Sequence, residues 1–164
     1  MSVFIRAMRS EDARRFLELQ RESARGIAAK DYPSAVIEAW APLPITDEVV
    51  ARFLSNADHE IRLIAELDGQ AVGIGALVLG NSELRACYVV PSAARRGVGT
   101  AIVAEIERIA REHGLVDLRL ESSLTAEPFY VALGYQVEER GELILAAGLP
   151  MPAITMSKQL APSP

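Results

Sequence analysis

The chain has 164 residues, 50% hydrophobic and 24% charged, which is enough apolar material for one domain with a real core and too much for a disordered segment. Its net charge of −5 argues against a nucleic-acid surface and suits a small cationic partner such as an amine. One cysteine excludes an internal disulfide, the charged start MSVFIRAMRSED lacks a secretory apolar run, and no stretch approaches the roughly 20 apolar residues of a membrane span, so no membrane partner and a cytoplasmic location are expected.

Val3 to Ala7 reads as a short strand. Ser10 is placed to cap a helix from Glu11 to about Ser23 that buries Phe16, Leu17 and Leu19. The stretch from Ala24 to Thr46 is rich in Pro and Ala, with a short helix expected at Ser34 to Trp40, and a third helix follows near Asp47 to Leu54. Ile61 to Leu67 and Gln70 to Leu79 are strands joined by Asp68-Gly69, a strong hairpin signal. Gly73 and Gly75 lie inside the second of them and mark either a bulge or a close approach by ligand.

The run ELRACYVVPSAARRGVGTAIVAEIERIAREHG, Glu83 to Gly114, carries the chemistry. Strand alternation puts Glu83, Arg85, Cys87 and Val89 on one face and Leu84, Ala86, Tyr88 and Val90 on the other, and Pro91 ends the strand. From Val98 the period is helical, with Val98, Ile102, Ile106 and Ile109 apolar and Gly114 at the C-terminal stop. Between them a side-chain-poor turn, Arg95-Arg96-Gly97-Val98-Gly99-Thr100, feeds the first turn of the helix. Its unpaired N–H groups and the positive end of the helix dipole read as an anion site suited to a pyrophosphate, the alternative being a helix that merely starts after a glycine turn. No lysine follows the glycines as a P-loop needs, and the third glycine of a dinucleotide fingerprint is missing.

Val116 to Glu121 is a strand; Thr125 is placed to cap a short helix through Ala132 with Pro128 in its first turn. Tyr135 to Glu139 is a further strand, Glu142 to Ala146 and Ala153 to Lys158 form a last hairpin, and the tail Ala161 to Pro164 is expected to fray. Three successive antiparallel strands and a crossover helix give an α/β (α+β) domain spanning residues 1–164, its central sheet mixed, mostly antiparallel and twisted, with flanking helices.

Val-x-Pro followed by R-G-x-G-T and an apolar helix resembles the cofactor motif of the GNAT superfamily, the N-acyltransferases that use acetyl-CoA. Phe129-Tyr130-Val131-Ala132-Leu133-Gly134-Tyr135 is similar to that family's late F-Y-x-x-x-G-[FY] block, in the expected order. The resemblance implies a GNAT-like fold that binds acetyl-CoA along Cys87, Tyr88, Val89, Ala94, Arg95, Arg96, Gly97, Val98, Gly99 and Thr100, with Ser123 where the family often has Asn. Ala94 stands where the family usually has Gln or Arg. It further implies transfer of the acetyl group to a small-molecule or peptide amine by direct attack, and allows a homodimer.

Glu83 reads as the amine's proton acceptor or as a solvated strand-end carboxylate. Tyr130 falls at the position of the acid that protonates the leaving thiolate; otherwise it is a packed ring. Tyr32 and Trp40, in the early helical region, line the acceptor pocket or are core aromatics. Cys87 has no histidine partner to make it a nucleophile and reads as a wall of the thioester tunnel; His59 and His113 form no metal-ligand cluster, so no metal is expected. The rival readings are an acyl-CoA-binding sensor without catalysis on the same fold and a phosphate-binding domain for another nucleotide.

Overall fold

A computed structural model describes residues 2–162; Met1 and the last two residues of the expected frayed tail, Ser163 and Pro164, lie outside it. Seven strands form one sheet: β1 (Val3–Ala7), β2 (Ile61–Leu67), β3 (Gln70–Val78), β4 (Glu83–Val89), β5 (Asp117–Ser123), β6 (Gln136–Ile144) and β7 (Pro150–Gln159). Their order is β1-β2-β3-β4-β5-β7-β6. Every neighbouring pair is antiparallel except β4 and β5. The helices are α1 (Ala13–Ile27), α2 (Ser34–Trp40), α3 (Asp47–Ser55), α4 (Val98–Glu112) and α5 (Glu127–Ala132). Among the described residues no helix is long and apolar enough to cross a membrane.

The β2–β3 hairpin turns through Asp68 and Gly69, whose φ values of 53° and 80° are those of a primed turn. Two cores then cover the two sheet faces. Val98, Ile102, Ile106 and Ala110 of α4 pack with Leu63, Leu84, Leu118, Leu120 and Met156, while Phe16 and Leu19 of α1 pack with Ile64, Ile74 and Val90. Gly114, at φ +82°, ends α4 as its sequence position implied.

Local readings are corrected in five places. Ser10 does not cap α1: it opens a 3-10 turn, Ser10–Asp12, which the Asp12 carboxylate closes by accepting from Arg9 N at 2.8 Å, with Arg6 Nη1 donating to it at 2.7 Å, and α1 itself has no side-chain cap. Thr125 does not cap α5, because its hydroxyl donates to Asp31 at 2.7 Å; Ser123 Oγ accepts from Ala126 N instead, at 3.1 Å. The two short strands expected after Tyr135 are one, β6, paired along β7. In β4 the pair Ala76↔Ala86 is followed by Leu77↔Leu84, so Arg85 is an extra residue. That bulge reverses the alternation and puts Leu84 on the α4 side with Cys87 and Val89, whereas Ala86, Tyr88 and Val90 face α1.

The strand glycines read as a bulge or a ligand contact; the bulge is present beside Gly73, where Ala65↔Gly73 is followed by Glu66↔Ala71 and Val72 is extra, but the space that both glycines leave is taken by a helix, which is the fifth correction. A Cβ on Gly75 would stand 2.6 Å from Ile102 Cγ2 and 3.2 Å from Ile106 Cδ1, and one on Gly73 would meet Tyr88 O at 3.0 Å. Gly75→Ala should therefore cost about 1–3 kcal/mol by overpacking, read as a fall of several degrees in the thermal midpoint. An unchanged midpoint would show that α4 rides closer to the sheet by choice of side chain, not by necessity.

Candidate active site

The parallel β4–β5 join has a single registered pair, Glu83↔Arg119, supported by Arg119 N donating to Ser82 O at 2.8 Å. Beyond it the strands part, and two cavities occupy the gap. The first, about 330 Å³, runs between α1, β4 and the start of α4. Cys87, Tyr88, Val89, Ala94, Arg95, Gly97, Val98, Gly99, Thr100 and Ser123 all line it. Arg96 is not among its lining residues.

At the mouth of this cavity Arg95 and Gly97 both adopt left-handed backbone, φ 63° and 80°, and Gly97 is the N-cap of α4. The first helical bond closes at Ala101 N→Gly97 O, 3.0 Å, so the N–H groups of Val98, Gly99 and Thr100 have no partner within the helix. Gly99 is small for a reason: a Cβ there would stand 3.0 Å from Phe129 Cζ. Phe129 itself lines the cavity, as do Ser23, Ala24, Ile27 and Ala28 of α1 and the turn after it. None of these five is marked out by the sequence as a site residue. Phe129 stands inside the late aromatic block, but the residues of the α1 region carry no signal beyond a run of small side chains.

The second cavity, about 290 Å³, lies against the other end of the gap and brings Glu83 and Tyr130 to one space, with Glu121, Leu143 and Met151 as unforeseen neighbours. Glu83 is held by its own strand. Arg85 Nη2 donates to Glu83 Oε1 at 3.0 Å and Nε to Oε2 at 3.3 Å, a fork across the bulge, and the same guanidinium reaches Asp58 at 2.6 Å and Glu60 at 3.2 Å. Glu60 is also held by Arg62 Nε at 2.7 Å, and of the carboxylates on Arg85 only Glu83 lines this cavity, where Glu121 is the other carboxylate.

Tyr130 is buried edge-on between Phe129 and Tyr135, with ring centroids at 5.1 and 5.7 Å. Burial raises its phenol well above the ordinary value of 10.0, with the neighbouring Cys87, Tyr88 and Tyr135 acting in the same sense. Cys87 is also changed by burial, its thiol pushed up to about 12. Its Sγ faces Gly99 O at 3.7 Å, and neither His59 nor His113 lines either cavity, so no thiolate nucleophile is built here.

Trp40 lines both cavities. Tyr32 lines neither: its buried ring is a tether, with the hydroxyl donating to Pro152 O at 2.6 Å and accepting from Leu124 N at 2.8 Å. Three arginines of α1 hold the segment after α2 in place. Arg25 Nε donates to Ala41 O at 2.9 Å, Arg21 Nε to Pro42 O at 3.3 Å and Arg14 Nη1 to Ile45 O at 2.6 Å.

This fold, with an open helix start beside a split sheet, is that of the acetyltransferase (GNAT) domain family, whose pattern matches residues 28–160; the chain belongs to that family and is an N-acetyltransferase. Among its relatives is the spermidine N(1)-acetyltransferase of Thermoplasma acidophilum, 28% identical over an alignment of 148 residues, with 85% of this chain and 91% of the relative covered. The GCN5-related N-acetyltransferase of Rhodopseudomonas palustris superposes with a TM-score of 0.88 at 28% identity, covering 98% of this chain and 97% of that one. The PaiA N-acetyltransferase of Thermoplasma acidophilum, solved in complex with coenzyme A, superposes with a TM-score of 0.73 at 26% identity over 97% and 99% of the two chains.

Proposed function

We propose that this enzyme transfers an acetyl group from acetyl-CoA to a primary amine, with Glu83 as proton acceptor and Tyr130 as proton donor. The observation that carries the reading is the meeting of the two cavities, one headed by helix-start amides and the other holding Glu83 and Tyr130. The residues fit a CoA thioester: the N–H groups of Val98, Gly99 and Thr100 suit its pyrophosphate, and the largely apolar channel past Ala24, Val89 and Phe129 suits its pantetheine arm. When bound, acetyl-CoA supplies an acyl group activated as a thioester.

Glu83 accepts a proton from the acceptor ammonium, directly or through a water, as the new C–N bond forms at the acyl carbon. Backbone N–H groups of β4 between Cys87 and Val89 face the negative charge that develops on the acyl oxygen. Tyr130 then gives its proton to sulfur as the C–S bond breaks, and the second proton leaving the nitrogen restores the phenol, so the products are an amide and a free thiol. No covalent bond to the protein is needed. The second cavity, with its two proton-handling groups, gives a binding-only sensor no observation in its favour.

Glu83 and Glu121 against the single Arg85 in the second cavity, together with the likeness to a spermidine acetyltransferase, make spermidine the first acceptor to try. Saturation with acetyl-CoA at about 100 times its dissociation constant should add about 2.7 kcal/mol of stability and raise the thermal midpoint by roughly 5–10 °C, with NAD and ATP giving no comparable shift. Thiol release on adding spermidine would then establish the transfer. A midpoint that responds to ATP and not to acetyl-CoA would refute the proposal.

A further inference from the structure

Five residues line both cavities: Trp40, Cys87, Tyr88, Ser123 and Ala126. An acyl group passing from a donor in the first cavity to an amine in the second has to lie among them. Cys87, Ser123 and Ala126 have small side chains, so two rings decide how much space there is. We propose that Trp40 sets the length of the acyl group this enzyme accepts and holds it to two carbons. This rests on the transferase reading given above.

The indole is braced on both sides. Its ring centroid stands 6.0 Å from that of Tyr32 and 6.0 Å from that of Tyr88. Tyr32 cannot swing away without giving up its bonds to Pro152 O and Leu124 N, at 2.6 and 2.8 Å. Tyr88 has its hydroxyl beside Gln20 and Trp40, and its phenol is pushed up to about 12 by burial. The backbone just past Trp40 is fixed as well, because Arg25 and Arg21 hold the carbonyls of Ala41 and Pro42. A third or fourth acyl carbon therefore meets a half-buried ring held between two others. Packed sites of this kind resist added methylenes as strongly as they reward filled space.

The test compares acetyl-, propionyl- and butyryl-CoA as donors to spermidine, by thiol release, in the wild type, Trp40→Leu and Trp40→Phe. Wild-type kcat/KM should fall at least about tenfold with each added methylene. Trp40→Leu should narrow the acetyl-to-butyryl ratio by at least about tenfold, with Trp40→Phe between the two. The ratio within each variant is what is read, so a general loss of activity does not confuse the outcome. Calorimetric binding of the three thioesters to wild type and Trp40→Leu gives the same comparison without turnover. A shift in binding preference with no acetylation of any amine would sink the transferase reading and leave the width assignment standing. Equal use of butyryl-CoA and acetyl-CoA by the wild type would overturn it. So would an unchanged ratio in Trp40→Leu, which would place length selection in the acceptor cavity.

Discussion

Replacing Tyr130 by Phe should lower kcat by about 10²- to 10⁴-fold while the dissociation constant for acetyl-CoA stays near the wild-type value. The substitution removes one oxygen and keeps the ring, so the edge-on packing against Phe129 and Tyr135 is retained. What goes is the proton for the departing sulfur. Burial suits the residue to that role, because a phenol whose pKa is raised well above 10.0 stays protonated through the physiological range. Wild-type activity should accordingly show no loss assignable to Tyr130 below about pH 10, because the raised phenol sheds its proton only above that point. Single-turnover thiol release with pre-bound acetyl-CoA is the measurement, since it separates the chemical step from product release. Unchanged single-turnover rates would remove Tyr130 as the acid.

Glu83→Gln should have an effect of similar size, about 10²- to 10⁴-fold at neutral pH, with a different dependence on pH. An aliphatic ammonium of pKa near 10.4 costs roughly 4.6 kcal/mol to deprotonate at pH 7, about 3.4 units at 1.36 kcal/mol each. The carboxylate relieves that cost by taking the proton beside the reacting carbon. As the pH rises toward about 10.4 the solvent supplies free amine unaided, so the gap between the Glu83→Gln variant and wild type should close. Glutamine preserves the shape that fits the Arg85 fork, at 3.0 and 3.3 Å, although one of its two terminal atoms no longer accepts. Parallel pH–rate profiles for wild type and variant would count against Glu83 as the base. Asp58 and Glu60, which stay on Arg85, are then the carboxylates to examine next.

The parts of the fold and site that are legible in the sequence are those whose cause is local. Asp68-Gly69 makes its own turn, Gly114 stops its own helix, and Gly97 opens α4 because a left-handed residue is needed there whatever surrounds it. The same turn resembles the GNAT cofactor motif, and it is that resemblance which marks Cys87 to Val89 and Gly97 to Thr100, all of which line the first cavity.

What stays hidden depends on partners far along the chain. The bulge at Arg85 exists only because β3 pairs Ala76 with Ala86 and Leu77 with Leu84, and alternation read along β4 alone cannot register it. Gly73 and Gly75 read as a bulge or as ligand contacts; the bulge is there at Val72, but the atoms that take their space belong to Val98, Ile102 and Ile106 on a helix that has no local claim on that strand. Tyr32 resembles a pocket residue because nothing near it in sequence announces Leu124 or Pro152 as its hydrogen-bond partners. The place of Trp40 at the junction is visible only once the two cavities are seen to share it.

The lone registered pair between β4 and β5 also bears on how the molecule breathes. The strands from β1 to β4 form one ladder and β5, β7 and β6 form another, and α4 lies across both. Separating the ladders at their far end breaks no strand pairing, so the gap can widen without unfolding either half. Local opening is then set by side-chain contacts under α4, while amide exchange deep in each ladder follows global unfolding. A ligand that fills the gap would join the two ladders, and amide exchange along its walls should then be slower than in the free protein.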